Sequence, residues 1–165
     1  MIHIVRVQYH YFKTNRKFPT VFPESVAQSS DYTREDGVVS VADRAVDGIY
    51  STKAHTICSW STDIWYEMTF SESYCFDEVV ILQSHLNDYA YRWQDTQIFV
   101  SDSNTGAEVL CGVVKVTDKT AETYQIPCDA CGDRIKLQVN HPKGGEYEEK
   151  GCLHMREIKA FRQKY

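Results

Sequence analysis

"VVILQSHLNDYAYRWQDTQIFV" (residues 79–100) opens and closes on β-branched and aromatic side chains, the composition of a strand. Its middle differs, placing His85, Asn87, Asp88 and Arg92 close together in a polar connection. Two strands joined by such a segment describe a β protein whose connections carry the chemistry.

The same pattern repeats outward from this stretch. "IWYEMTF" (64–70), "EVVIL" (78–82), "TQIFVSD" (96–102), "EVLCGVVKV" (108–116), "TYQIPC" (123–128), "RIKLQV" (134–139) and "HMREIKAF" (154–161) all read as strands. In "DRIKLQV" (133–139), Ile135, Leu137 and Val139 fall on one face and Arg134, Lys136 and Gln138 on the other. That alternation marks a strand buried on one side only. Residues 3–11 alternate as a further strand, and 13–37, with Pro19, Pro23 and Gly37, read as loop. "VSVADRAVDG" (39–48) starts like a helix but stops at the Asp47-Gly48 turn signal. Seven or eight short strands at this spacing predict an all-β, antiparallel sandwich or jelly roll.

The bulk properties narrow the function. A chain of 165 residues fits one domain, 1–165, with 1–23 as an N-terminal strand and extension. A net charge of -5 gives no electrostatic reason to expect nucleic acid. No apolar run is long enough for a transmembrane helix. The start lacks the continuous apolar stretch of a secretory leader, which keeps an intracellular or ciliary location open. Six cysteines point the other way, toward disulfides and an extracellular setting. "CDAC" (128–131) is the one metal-like spacing and has no partner pair, so structural zinc is disfavoured. No nucleophile elbow, HExxH or P-loop is present, and the chain is expected not to be an enzyme.

A set of segments then aligns in order with a known superfamily: "VAQSSDY" (26–32), "ADRAVDG" (42–48), "AHT" (54–56), "IWYEMTF", "RWQDTQIFV" (92–100), "CG" (111–112), "CDACGDRIKLQV" (128–139) and "MREIKAF" (155–161). The chain resembles the discoidin-like (F5/8 type C) superfamily, and within it the F-type, fucose-binding lectins, over about 24–163, which the resemblance makes the core of the domain. The resemblance implies an eight-stranded β-jelly roll with a shallow sugar pocket made by one His and two Arg. His55 matches the pocket His and Arg92 the second Arg. His85 stands at the first Arg and Asn87 at the Asp two places later. The family's adjacent cysteine pair falls on Asp88 and Tyr89. The resemblance also implies a structural calcium, with Asp47 and Glu157 as carboxylate ligands and Arg44 and Ile49 at positions able to donate carbonyl oxygens. The Arg44 guanidinium in place of the ion is the other reading of the same loop. Cys111 with Cys128 matches the family's long-range disulfide, and a shifted bridge from Cys152 to Cys58 leaves Cys75 with Cys131.

A neutral monosaccharide demands fixed hydrogen-bond donors and an apolar face. Arginine suits the first role because its guanidinium is a rigid fork of five N–H groups. His55, His85, Asn87 and Arg92 are therefore the candidate sugar-binding set, set against readings as core, turn or solvated residues. Of Trp60, Trp65 and Trp93, core positions are expected, with Trp60 the one to be exposed. The expected partner is a glycan or glycoprotein, possible calcium included. The alternative is a protein-binding assembly module on the same fold, with a homo-oligomer among the open outcomes.

Overall fold

The computed structural model describes residues 19–84, 90–117, 120–140 and 150–163. The strand expected at 3–11 and the expected site residues His85 and Asn87 lie outside them. The described strands are β1 (Thr20–Val21), β2 (Ser25–Gln28), β3 (Tyr32–Thr33), β4 (Val39–Ser40), β5 (Ala54–His55), β6 (Trp65–Gln83), β7 (Gln97–Ser101), β8 (Glu108–Val113), β9 (Thr123–Gln138) and β10 (His154–Arg162). Eight of them form one antiparallel sheet in the order β1-β10-β6-β9-β7-β8, with β2 added on β6 and β5 on β10. β3 and β4 make a separate pair.

Two long strands turn this sheet into a sandwich. The first part of β6 (65–69) pairs with 134–138 of β9 and with β2, while its last part (78–82) pairs with 123–127 of β9 and with β10. Register shifts between Thr69 and Tyr74 and between Phe76 and Glu78 mark the bend. Irregularities of this kind kink a strand and increase its twist. Inward-facing side chains from both halves then meet: Tyr66, Met68, Phe76, Val79, Ile81, Ile135 and Leu137 are all essentially inaccessible to water.

The sequence divides β6 into two strands because polar Ser71, Glu72 and Ser73 interrupt the alternation. They sit exposed at the bend, and pairing resumes at once as Tyr74, Cys75 and Phe76 face Gly132, Cys131 and Ala130. β9 likewise joins "TYQIPC" and "RIKLQV" into one ribbon. Gly132 is required there. A Cβ at that position would lie 2.8 Å from the Val100 side chain and 2.7 Å from the Ser101 carbonyl carbon. The segment expected as loop, 13–37, contains β1, β2 and β3, strands of two to four residues that are too short to show a period. "VSVADRAVDG" begins as β4 and continues as a 3-10 turn, Ala42–Ala45, whose buried alanines pack on the core. The Tyr66 hydroxyl donates to the Ala42 carbonyl at 3.1 Å, and Gly48 closes the loop at φ 73°.

Disulfides join Cys58 to Cys152, Cys75 to Cys131 and Cys111 to Cys128. The second ties β6 to β9 at the bend. The first ties the segment after β5 to the residue two before β10. Trp93 is fully buried, 5.8 Å from Tyr124 and 5.9 Å from His154 between ring centres. It pins the 3-10 turn Ala90–Trp93 to the end of the sandwich where β5 and β10 pair.

Candidate functional site

Antiparallel pairing sets His55 of β5 directly opposite His154 of β10, and Ala54 opposite Met155. The two imidazoles lie edge to face, 5.7 Å between centres, and Tyr32 covers His55 at 4.6 Å. His55 is only 7% exposed, and its Nε2 lies 3.8 Å from the Cys58 sulfur. Its Nδ1 is buried with no hydrogen-bond partner among the described residues. Burial, reinforced by Lys53 and Arg92, pushes the His55 pKa down to about 4, so the ring is neutral at physiological pH. On the other side, the Ser84 hydroxyl and His154 Nδ1 are 3.0 Å apart.

Arg92 arrives from the turn that Trp93 anchors. Its Nη1 lies 3.7 Å from the Cys58 sulfur and 3.6 Å from the Cys152 sulfur. His55 and Arg92, far apart in the chain, therefore meet on the same disulfide. The resemblance pointed to these two residues and, separately, to a Cys58–Cys152 bridge, but not to their meeting on it. Trp60, two residues beyond Cys58, is 49% exposed, while Trp93 is core and Trp65 is half-buried.

The calcium expectation is not met. Among the described residues, the group of three metal-ligating side chains close enough to share an ion is His55, Cys58 and Cys152, a nitrogen and sulfur set. Calcium takes six to eight hard oxygens instead. The two sulfurs of that group are bonded to each other, so neither has the thiolate charge a soft metal needs. The oxygens assigned to calcium are otherwise engaged. Asp47 accepts hydrogen bonds from the Ile49 N–H and the Thr52 hydroxyl, both at 2.7 Å. Thr52 also lies 2.8 Å from the Ile49 carbonyl and 3.5 Å from that of Arg44. Burial pushes Glu157 up to about 7, with Lys159 opposing and Asp47 adding to the rise, which weakens it as a cation ligand.

One feature had no signal in the sequence. A cleft of about 390 Å³ opens where β4, the 3-10 turn Ala42–Ala45, the approach to β5 and the start of β10 come together. Four cations line it: Arg34, Arg44, Lys53 and Arg156. They are dispersed along the chain, and no composition window groups them. The fold brings them together: Lys53 immediately precedes Ala54, and Arg156 follows Met155, the partner of Ala54 on β10.

The architecture and these positions can be compared with solved structures. A fucose-binding module from Streptococcus pneumoniae superposes with a TM-score of 0.68 at 18% identity, covering 92% of this chain and 100% of that one. The chain has the discoidin-like β-sandwich fold of the F-type lectins. The fucolectin of striped bass (Morone saxatilis) serum matches with a TM-score of 0.62 at 17% identity over 85% of this chain. The match spans only 45% of that lectin's length. A family 32 carbohydrate-binding module from C. perfringens NanJ, solved with galactose, matches with a TM-score of 0.59 at 15% identity, covering 84% of this chain and 93% of that one. No protein-family model and no curated protein matches the sequence. Among the described residues, no helix is long and apolar enough to cross a membrane.

Proposed function

We propose that this discoidin-like sandwich is a non-catalytic carbohydrate-binding domain, secreted into an oxidising compartment. Its guest is a fucose- or other sugar-bearing glycan, bound with a specificity altered from that of the F-type lectins. The observation that carries the reading is the meeting of His55 and Arg92 on the Cys58–Cys152 bridge. Arg92 supplies the donor fork that ring hydroxyls require. Neutral, covered His55 acts from below, shaping the floor on which Arg92 rests. Trp60 supplies the apolar face on which a sugar's C–H groups can stack. The three disulfides favour the extracellular setting.

The test is a glycan array probed with wild type and with Arg92→Ala. Loss of a charge-assisted donor costs about 1.5–3 kcal/mol, so binding should fall roughly ten- to a hundredfold. Retention of full binding by Arg92→Ala, or failure of the wild type to bind any glycan, would sink the reading.

A further inference from the structure

The cleft beside the His55–Arg92 floor is strongly cationic in a protein that is net acidic. Arg34 pairs with Asp36 at 2.9 Å. Arg44, Lys53 and Arg156 are half-buried, yet none has an ion-pair partner among the described residues. Burying a charge without a partner is unfavourable, and like charges set across an antiparallel pair repel. Lys53 registers both effects. Burial holds its ammonium below the usual range, and Arg34 and Arg156 depress it further. Among the described residues that line the cleft, none is a carboxylate able to relieve this.

The lining also contains hydroxyls. Ser40 is 1% exposed, and its Oγ has no hydrogen-bond partner among the described residues. An orphaned buried hydroxyl is uncommon in a native structure and calls for an explanation. A compact anion with several acceptor oxygens would satisfy both the cations and this hydroxyl. The cations and the hydroxyl come from several elements, β4, the 3-10 turn, the approach to β5 and β10, a spread that suits a tetrahedral oxyanion better than a planar carboxylate that one arginine fork satisfies.

We propose that this cleft binds a sulfate or phosphate ester group, so that the glycan recognised by the domain is an anionic one. The proposal rests on the carbohydrate-binding reading for the sugar, but the oxyanion contact is made by different residues. Ser84 links the two, since it lines the cleft and contacts His154, which packs against His55. A sugar on the Arg92 floor would thus direct an ester substituent toward Lys53 and Arg156.

Calorimetric titration of the whole chain with galactose, galactose 6-sulfate, galactose 6-phosphate and inorganic sulfate tests this, alongside a Lys53→Gln/Arg156→Gln double variant. The expected result is at least about tenfold tighter binding of either ester than of galactose, weakening as salt rises. The double variant should bind the esters no better than galactose, whereas Arg92→Ala should weaken all three sugars. Inorganic sulfate should raise the melting temperature of wild type and not of the double variant. Should the double variant fold poorly, Lys53→Gln alone serves the same comparison. Equal affinity for galactose and its esters would overturn the proposal and leave sugar binding intact. Binding of inorganic sulfate at the cleft with no binding of any sugar would support the anion site and overturn the glycan. Binding to vesicles of anionic phospholipid in place of the sugar esters would likewise overturn the glycan assignment.

Discussion

Removing the Cys58–Cys152 bridge with a Cys58→Ala/Cys152→Ala variant isolates the element on which the proposed floor is built. The cysteines are 94 residues apart, and the chain-entropy relation gives about 4.7 kcal/mol for a loop of that size. The Cys75–Cys131 bridge lies inside that loop and short-circuits it, leaving an effective loop of about 40 residues and a stabilisation of about 4 kcal/mol. A chain of this size loses about 2–4 °C per kcal/mol, so the melting temperature should fall by about 8–16 °C. Differential scanning calorimetry at neutral pH measures it, with a Cys75→Ala/Cys131→Ala variant as comparison. The first variant should also weaken sugar binding, because Arg92 and His55 lose the surface that both touch. A melting temperature within about 2 °C of wild type would refute the entropic reasoning. Unchanged sugar affinity would refute the role assigned to the bridge.

Other positions give independent checks. Gly132→Ala drives a methyl into the Ser101 main chain and should cost about 1–3 kcal/mol in urea melts; an unchanged midpoint would show that β7 can retreat. Trp93→Ala should cost about 3–5 kcal/mol in urea melts, and a loss under 1 kcal/mol would mean that the turn is not anchored as described. The His55 pKa lies near 4 in the fold and at 6.5 when unfolded, so the folded state binds fewer protons. Its contribution is fully present above pH 6.5 and is lost as pH falls toward 4. Urea midpoints of wild type should therefore drop more steeply over that range than those of His55→Gln, and parallel profiles would disprove the burial argument.

Much of the fold was legible from alternation alone. In "DRIKLQV", Ile135, Leu137 and Val139 are wholly buried while Arg134, Lys136 and Gln138 keep contact with solvent. The continuity of β6 and β9 was not legible, because side chains at a bend stop obeying a period of two. β2 escaped notice because four residues of an edge strand carry too little pattern. Three cysteine pairs could not be told from fifteen by spacing, and the pairs named came through the family resemblance. His55 and Arg92 were located through the same resemblance, and their meeting on the Cys58–Cys152 bridge emerged from the fold. The cationic cleft lay beyond reach altogether, since residues 34, 44, 53 and 156 become neighbours only through strand pairing.

The passage of β6 and β9 through both layers has a mechanical consequence. Neither layer owns a full complement of backbone, so one cannot be peeled from the other without tearing the longest ladder in the molecule. The sandwich should yield to heat or force as a single cooperative block, with Cys75–Cys131 acting as a rivet at the crease. The rim that carries Arg92 and Lys53 thereby inherits a rigid mount, and its chemistry can change by substitution without disturbing the frame below.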